Sequence, residues 1–403
     1  MAGFFKASTL YRKAPLAMVP RCGACGLHET CKSPKMRPTG EGRRKILIVG
    51  EAPGKTEDEE NRQFCGKTGE RLERKLIKLG VDMRRDCWLT NTLICRPPNN
   101  EIPNSAVIDH CRPNLLNTIN DLQPEIILLL GTPACTSLLG YLWKEEVGGV
   151  SRWAGFRIPS QRLNAWVCPA FHPSYVERGA EKDGSNVTNV IWERHLAAAL
   201  ELSGRPYETI PDYGSTVRTI RDDRDAAAAI HGFIGTNPVA FDYENNCLKP
   251  DDDHSEIICC SLSDGERTIA FPWYGAAIEA MGKFIRSDTP KVASNLKHEE
   301  RWTRRLFGHS VNNWLICSMN AAHWMDCRPA ITSIKFQAFV WLGVESYDDA
   351  IKPHMRSAPG TKTNNLSNEV EIEQLLRYCG LDSLFEILVA KKQIEASGVF
   401  PRC

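Results

Sequence analysis

The 403-residue sequence has almost no net charge and no long apolar run. Its 50 basic and 49 acidic side chains leave a formal charge of +1, so nucleic-acid binding would have to come from local patches. No apolar run approaches the roughly 18 residues that a membrane-spanning helix needs, and residues 1–13 contain no signal-peptide core. These absences predict a cytoplasmic protein, in the host cytoplasm if its source is viral, with no membrane partner.

Local basic patches do occur. Short stretches rich in Lys and Arg lie at 42–45, 71–78 and 301–307. Each is a candidate contact for a nucleic-acid backbone, although such a stretch is more often a solvated helix face.

The first glycine-rich turn lacks the residues of a phosphate-binding loop. In "ILIVGEAPGKTEDEE", residues 46–60, Glu57 and Asp58 stand where a phosphate loop has Lys and Ser or Thr. The acids of this stretch would repel an anion. Glu51, directly after an apolar run, better fits a water-positioning or acid–base role, and a solvated turn is the alternative.

Sixteen cysteines in a chain without an export signal do not indicate a disulfide framework. Cys135, Cys168, Cys259 and Cys260 fall in apolar runs, which predicts small core residues.

Four other cysteines have the spacing of metal ligands. Cys22 and Cys25 lie in "CGAC", while Cys95 and Cys111 come from "ICRPP" and "DHCRP". Such thiolates can bind zinc or an iron–sulfur cluster, and the wide second spacing favours iron–sulfur. Cys31 is a competing ligand.

Apolar runs and helical patterns alternate over residues 1–202. "KILIVG", "WLTNTLIC", "EIILLLG" and "AWVCPAF" read as buried strands, with helices between them at about 69–79, 106–122, 132–142 and 187–202. This order predicts a parallel, three-layer α/β/α domain whose ligand site lies beyond the carboxyl ends of the strands.

Five ordered motifs in this region resemble the family 4 uracil-DNA glycosylases. They are "GEAPGKTED", "FCGKTGERL", "TNTLICRPP", "HCRPNL" and "FHPSY". The resemblance implies a four-iron, four-sulfur cluster on Cys22, Cys25, Cys95 and Cys111. It also implies that Glu51 places the attacking water with Glu57 supporting its loop, Phe64 stacks on the flipped base, Asn91 reads the uracil edge and His172 stabilises the leaving base.

The sequence departs from that family at three places. Gln63 replaces the usual proline before Phe64, and Cys65 replaces the usual valine after it. After "HPSY" the chain continues "VERGAEKDGSN", without the leucine–arginine ending of a DNA-intercalating loop. These departures leave open a glycosylase fold that serves as a DNA-binding scaffold.

The pattern changes after residues 203–216, a Gly-, Pro- and Ser-containing linker candidate. From 217 to 403 we predict a helix, a strand at "PVAFDYENN", a hairpin with an Asp-Gly turn, a strand at "KVASNL" and a long helix at about 369–396. That order predicts an α/β domain with a mixed sheet.

Pairs of polar residues in this second region have the spacing of a shared site. Asp242 and Glu244 are two apart on a strand and Tyr378 and Asp382 four apart on a helix, so each pair shares a face. Two adjacent carboxylates favour Mg²⁺ or Mn²⁺ between them, although surface elements also produce both spacings.

With "NLKHE" between them, these motifs resemble the DnaQ-like 3′–5′ exonuclease domain of phage family A DNA polymerases, which has a ribonuclease H-like fold. The resemblance implies that Asp242, Glu244 and Asp382 are metal ligands and that Tyr378 orients water. Glu299 stands at a position that is usually aspartate, as does Cys317.

The combination predicts a DNA-processing protein of replication or repair, with a glycosylase-like module followed by a two-metal exonuclease. No polymerase domain follows, which predicts action alone or with a separately encoded DNA polymerase. The alternative is a non-catalytic replisome module that grips DNA with both folds.

Overall fold

The computed structural model describes residues 20, 22–102, 104–183, 186–235, 237–252, 254–356, 360 and 364–398. Side chains are described for the same residues except 180–183. The predictions about residues 1–13 lie outside these ranges. The chain divides into two compact units, residues 1–210 and 211–403.

The first unit is built on a five-stranded sheet in the order β2-β1-β3-β5-β4. Its elements are β1 (Ile46–Gly50), α1 (Lys55–Glu60), α2 (Lys67–Lys78), α3 (Met83–Asp86), β2 (Cys87–Asn91), α4 (Ser105–Leu122), β3 (Ile126–Leu130), α5 (Thr132–Leu142), α6 (Val150–Trp153), β4 (Ile158–Ser160), β5 (Ala165–Ala170), α7 (Pro173–Asp183) and α8 (Val187–Leu200).

The sheet is buried on both faces. Ile46 and Ile48 pack in one core with Leu72 of α2 and Trp192 of α8, while α5 contacts β1 and β3. Because successive strand residues point to opposite faces, a fully buried strand such as β1 needs helices on both sides. The predicted three-layer α/β/α architecture is confirmed.

The sequence prediction of the first sheet was wrong at two strands. β4 pairs antiparallel with β5 at the sheet edge, and its three residues are too few to show a period. β2 ends at Asn91 rather than Cys95, and the next backbone N–H groups, of Thr92 and Leu93, still donate to the carbonyls of Gly50 and Glu51.

The second unit carries a six-stranded mixed sheet in the order β11-β10-β7-β8-β9-β6. Its elements are α9 (Tyr213–Thr216), β6 (Val217–Thr219), α10 (Asp223–His231), β7 (Val239–Asn245), β8 (Ile257–Ser263), β9 (Thr268–Pro272), α11 (Ala276–Arg286), β10 (Lys291–Ala293), α12 (Leu296–Phe307), β11 (Trp314–Cys317), α13 (Ser318–Met325), α14 (Ile334–Leu342) and α15 (Ile372–Ser397).

The central strands of this sheet are antiparallel and the outer ones parallel, which confirms the predicted mixed sheet. The hairpin between β8 and β9 turns at Gly265, whose φ of 91° favours glycine. Asp264 closes the turn by accepting the N–H groups of Glu266 and Arg267.

The long helix α15 packs against the sheet on the face opposite to the main aromatic core. Phe241 and Tyr243 of β7 belong to that core with α10 and α11, whereas Ala240 packs with Ile387 and Ala390 of α15. Alternation therefore places Asp242 and Glu244 on the side of α15.

The segment predicted as a linker, 203–216, is ordered on both sides of the boundary between the units. The indole N–H of Trp166 donates to the Arg205 carbonyl at 2.9 Å, and Tyr207 packs edge-on against the same ring. Past the boundary, α9 begins the second unit. Across the described residues, no helix is long and apolar enough to cross a membrane.

Candidate active sites

The four predicted metal-binding cysteines of the first unit line one small cavity. Cys22, Cys25, Cys95 and Cys111 surround it, inside an apolar shell that includes Leu27, Leu93, Val107 and Ile108. Residues separated by almost ninety positions in the sequence therefore line the same cavity. The predicted core cysteines are also confirmed, since Cys135, Cys168, Cys259 and Cys260 are buried.

Hydrogen-bond donors surround these thiols. The Lys35 N–H lies 3.2 Å from the Cys95 sulfur, and the Asn114 amide lies 3.7 Å from the sulfurs of Cys22 and Cys111. Burial raises the pKa of Cys95 to about 12 and that of Cys111 to about 11. Four converging sulfurs, with N–H donors that favour thiolates, fit a metal centre whose positive charge would keep the thiols deprotonated.

Cys31 is not among the residues that line the cavity. Its thiol approaches Cys95 closely enough to contribute to the raised pKa of that group. Cys31 is therefore a direct neighbour of Cys95 that does not line the cavity itself.

A second cavity of the first unit, about 510 Å³ in volume, holds the predicted base-binding residues. Glu51 follows β1, Asn91 ends β2 and His172 follows β5, so all three lie at the carboxyl ends of parallel strands. Phe64 and Glu57 line the same cleft. The structure therefore brings together every residue that the sequence predicted for this site.

Phe64 is held in a left-handed backbone conformation, with φ of 53°, that is rare for an aromatic residue. The Glu57 carboxylate accepts the N–H groups of Phe64 and Gly54. The Arg84 guanidinium donates to the Phe64 carbonyl at 2.7 Å and to the Gln63 carbonyl at 2.8 Å. These bonds hold the strained conformation and fix the loop.

Gln63, which replaces the family proline, is buried and fully bonded. Its amide donates to the Arg37 carbonyl at 2.7 Å and accepts from the Thr39 hydroxyl at 2.8 Å. Two side-chain hydrogen bonds therefore hold Gln63 in place before Phe64. Cys65 is half-buried, and its thiol donates to the Arg62 carbonyl.

Asn91 presents an unused hydrogen-bond donor. Its side chain is 4% exposed, and its amide nitrogen has no hydrogen-bond partner among the described residues. A buried orphan donor costs about 1–3 kcal/mol, which a ligand in the cleft would recover. The close approach needs glycine at position 50, since a Cβ there would lie 2.3 Å from the Asn91 oxygen and 2.8 Å from the Phe64 ring.

His172 is a neutral donor in this cleft. The Ser174 N–H donates to its Nδ1 at 3.4 Å, and the Ser174 hydroxyl lies 2.7 Å from the same atom. An accepting Nδ1 assigns the proton to Nε2. Burial, aided by the charge of Arg178, lowers the pKa of His172 to about 4, so the ring is neutral at physiological pH.

Glu51 and His172 both lie next to Gly131. Burial raises the pKa of its carboxyl, and the charge of Arg178 opposes that rise. A Cβ at position 131 would lie 2.3 Å from the Glu51 carboxylate and 3.1 Å from the His172 Cβ. Gly131 and Arg178 are the cleft residues that sequence reasoning missed, and only the strand-end position of Gly131 could have indicated it.

Asp58 joins the cysteine-bearing segment to the cleft. Its carboxylate accepts the N–H groups of Lys32 and Ser33 at 3.1 and 2.8 Å, and its carbonyl accepts the Ser33 hydroxyl at 2.6 Å. Because Asp58 follows Glu57 in α1, the segment after Cys31 is tied to the loop that carries Phe64.

The second unit gathers carboxylates from three elements, and all but the half-buried Asp242 are buried. Asp242 and Glu244 come from β7, Glu299 from α12 and Asp382 from α15. One ligand atom each of Asp242, Glu244 and Cys379 lies within 4.8 Å of the others. The structure thus brings together residues that are up to 140 positions apart.

Tyrosines hold Asp382. The hydroxyl of Tyr347 donates to its Oδ1, and Tyr378, one helical turn earlier, also hydrogen-bonds its carboxylate. Burial raises the pKa of Asp382, and both hydrogen bonds oppose that rise. The two phenol rings stack at 5.9 Å. Tyr378 therefore lies where it was predicted, and Tyr347 is a partner that the sequence did not indicate.

The carboxylates of this site repel one another. Burial, reinforced by the charge of Asp382, raises the pKa of Asp242 to about 7. Burial also raises the pKa of Glu244 and of Glu299 well above the ordinary value, with Asp242 adding to both. Hard oxygen ligands that repel one another fit a divalent cation such as Mg²⁺ or Mn²⁺.

Sequence reasoning missed three further residues of this site, Cys379, Lys335 and Glu386. Burial raises the pKa of Glu244 and of Asp382, and the positive charge of Lys335 opposes both rises. The Lys335 ammonium also forms an ion pair with Asp348 at 2.6 Å. Glu386 follows Asp382 by four residues, a spacing that could have indicated it. Cys317 donates its thiol proton to the Ser294 carbonyl at 3.2 Å.

Comparison with known proteins finds relatives of the first unit. Residues 38–195 match the family model of the uracil DNA glycosylase superfamily. The type-4 uracil-DNA glycosylase of Pyrobaculum aerophilum is 36% identical over 171 residues, which is 40% of this chain and 82% of that protein. The type-4 enzyme of Thermotoga maritima is 32% identical over 173 residues, covering 41% and 82%.

Solved structures of nucleases show weaker similarity. Escherichia coli RNase D is 16% identical with a TM-score of 0.36, covering 46% of this chain and 47% of its own. Brucella melitensis NrnC is 15% identical with a TM-score of 0.33, covering 46% and 84%. Scores this low support no argument about activity. The extensive match of the first unit is decisive, and the chain belongs, through that unit, to the type-4 uracil-DNA glycosylase family.

Proposed function

We propose that this protein processes DNA with two activities, excision of uracil by the first unit and metal-dependent 3′–5′ exonuclease hydrolysis by the second. The observation that carries the first activity is the buried, unpartnered amide of Asn91 in one cleft with Glu51, Phe64 and His172. The second rests on the buried carboxylates that meet at β7 and α15.

Excision uses the side chains of the cleft. A base must leave the duplex stack, at a cost of a few kcal/mol, before its glycosidic bond is accessible. The Phe64 ring and the Asn91 amide recover part of that cost by stacking and hydrogen bonding. The neutral His172 donates from Nε2 to the negative charge that develops on the leaving base, and Glu51 places the water.

The exonuclease would release nucleoside 5′-monophosphates from a 3′ end. Asp242, Glu244 and Asp382 would hold the cations, and Tyr378, hydrogen-bonded to Asp382, would orient the attacking water. Two divalent cations in such a site supply Lewis-acid stabilisation of the attacking and leaving oxygens. DNA is the partner of both units, and a separately encoded DNA polymerase is the protein that such a proofreading activity would serve.

One assay separates this proposal from a non-catalytic DNA-binding scaffold, the alternative favoured by the missing leucine–arginine ending after Tyr175. Labelled single- and double-stranded DNA with and without uracil is incubated with the protein, in magnesium or in EDTA. We expect abasic sites in both buffers and shortened strands only with magnesium. Binding without either product would identify a scaffold.

The thiol cavity leads to a prediction about a cofactor. We propose that Cys22, Cys25, Cys95 and Cys111 hold a four-iron, four-sulfur cluster that pins the surrounding loops. Anaerobically purified protein should be brown and contain iron and sulfide in near equal amounts. Cys95→Ser should lose the colour, whereas Cys31→Ser, the matched control, should retain it. Stoichiometric zinc without sulfide, or loss of the cluster only in Cys31→Ser, would refute this ligand set.

Gly131 leads to a prediction about the geometry of the cleft. Gly131→Ala should lower the uracil-excision rate by roughly 10- to 100-fold, because a misplacement of about 1 Å can cost that much and the new methyl group would displace Glu51. Gly148→Ala is the matched control, since Gly148 also has a positive φ but its Cβ would meet nothing within 4 Å. Equal losses of rate in the two variants would show that backbone strain, not Glu51, is responsible.

A further inference from the structure

Cys379 is a buried thiol of the second unit that the proposed reaction does not use. It lies on α15, directly after Tyr378. Its sulfur lies 3.7 Å from the Asp242 Oδ2 and 3.6 Å from the Asp242 carbonyl oxygen. One ligand atom each of Cys379, Asp242 and Glu244 lies within 4.8 Å of the other two. A sulfur atom therefore lies among the carboxylates of the proposed metal site.

The distance between this sulfur and the Asp242 carboxylate matches one edge of a tetrahedral zinc site. Zinc binds thiolates at about 2.3 Å and carboxylate oxygens at about 2.0–2.2 Å. At a tetrahedral angle these two bonds separate the sulfur from the oxygen by about 3.5–3.7 Å, and the observed separation is 3.7 Å. With Glu244 as the third ligand, the fourth position of the zinc would stay open for water.

The neighbouring strand β8 holds Cys379 in this position. The Ser261 hydroxyl donates to the Cys379 carbonyl at 2.7 Å, and the same oxygen lies 3.3 Å from the Cys379 sulfur. Because Ser261 pairs with Asp242 in the sheet, it fixes the sulfur relative to the carboxylate. Asp242 is only half-buried, so an ion can reach the three ligand atoms from solvent.

The sulfur makes this group of ligands selective between cations. Mg²⁺ prefers oxygen ligands and keeps several of its waters, whereas thiolates select softer ions such as Zn²⁺. A site of two carboxylates alone would not favour zinc in this way. Cys379 therefore adds a property that the acids of the three sequence motifs do not have.

We propose that Asp242, Glu244 and Cys379 form a mixed carboxylate–thiolate site for Zn²⁺, at the place of the proposed exonuclease cations. Zinc binding breaks the S–H bond of Cys379, forms a Zn–S bond and releases one proton to solvent. Because Zn²⁺ binds such sites more tightly than Mn²⁺, low concentrations of zinc should inhibit the nuclease. The inference deepens the proposed exonuclease function and rests on it for this inhibition, whereas zinc binding is measured without DNA.

Competition with a chromophoric chelator tests the zinc site. The full, anaerobically purified chain is titrated with Zn²⁺ and, separately, with Mn²⁺. Cys379→Ser should lower zinc affinity at one site by at least about 10-fold, since even the loss of an outer-shell partner costs about 10- to 100-fold. Its affinity for Mn²⁺ should equal that of wild type, because this harder ion does not need the sulfur. Cys327→Ser, at an exposed cysteine of the same unit, is the matched control and should bind zinc as wild type.

The outcomes separate the zinc site from the reaction. Wild-type zinc affinity in Cys379→Ser would overturn the inference, and so would a wild-type chain that takes up no zinc beyond its metal content as purified. Equal losses of zinc and manganese affinity would also overturn it, because they would show that the substitution disturbs the carboxylates. Cys379→Ala should reproduce the selective loss if the serine variant folds poorly.

The nuclease assay gives a second measurement. Zinc added to the magnesium reaction should inhibit wild type at a concentration at least about 10-fold lower than it inhibits Cys379→Ser. Equal inhibition of the two proteins would overturn the inference. Cys379-dependent zinc binding by a chain that degrades no DNA would support the zinc site and refute only the exonuclease.

Discussion

Replacement of Asp242 by alanine should abolish magnesium-dependent degradation of single-stranded DNA, with a loss of at least about a thousandfold. A bound cation contributes several kcal/mol of transition-state stabilisation, and about 1.4 kcal/mol corresponds to a factor of ten in rate. The charge of Asp242 interacts with those of Glu244, Glu299 and Asp382. Its removal therefore changes the electrostatic environment of every proposed metal ligand. The rate of mononucleotide release from a 3′-labelled strand measures the effect.

Two further variants control this experiment. Glu266→Gln, an exposed acid in the β8–β9 turn, should leave the rate unchanged. Glu299→Asp restores the ligand length that is usual in the exonuclease family, so its activity should hold or rise. Degradation by Asp242→Ala at the wild-type rate would show that the nuclease site lies elsewhere.

The same substitution should stabilise the metal-free protein. Burial raises the pKa of Asp242 from its ordinary value of 3.8 to about 7, so ionisation of this group above pH 7 opposes folding. In EDTA at pH 8 Asp242→Ala should therefore melt at a higher temperature than wild type. The difference should shrink as the pH falls through 7 towards 4, because the native carboxyl becomes protonated. A difference in melting temperature that grows as the pH falls would contradict the raised pKa of Asp242.

Replacement of His172 by alanine should slow uracil excision on the order of a hundred- to a thousandfold, the cost of one lost oxyanion donor. Affinity for uracil-free DNA should change little, because His172 acts on the leaving base. Single-turnover excision from a uracil-containing oligonucleotide measures the rate, with electrophoretic mobility shift as the binding control. An equal loss of binding and rate would assign His172 to DNA binding instead.

The protonation state of His172 adds a dependence on pH. Its pKa is lowered to about 4, so the ring stays neutral between pH 8 and 5.5, and we expect no inflection from His172 in that interval. Ser174→Ala removes the hydroxyl beside Nδ1 but keeps the N–H that assigns the tautomer, so its loss of rate should be much smaller. An inflection near pH 6.5 that disappears in His172→Ala would show that the ring titrates at its ordinary value.

Much of the cleft was predictable because strand order constrains it. The carboxyl ends of parallel strands meet at one edge of a sheet, so residues that follow β1, β2 and β5 had to converge once those strands were recognised. The strand-end position of Gly131 could have indicated that residue, but the roles of Gly131 and Arg84 were not predictable, because a glycine and an arginine acquire their roles only from the atoms beside them. Gly131 admits the carboxylate of Glu51, and Arg84 donates to the backbone of Phe64.

By itself the sequence determined the main alternation of strands and helices in the first unit and the mixed sheet of the second. It also determined the four cysteines of one cavity and the same-face spacing of Asp242 with Glu244 and of Tyr378 with Asp382. These are local properties, set by periods of two residues on a strand and about four on a helix. The tertiary structure alone decided which face of the sheet α15 covers, and hence that the charge of Asp382 acts on Asp242. Packing makes that choice, because the aromatic side chains of β7 fill the opposite face and leave its carboxylates on the side of the helix.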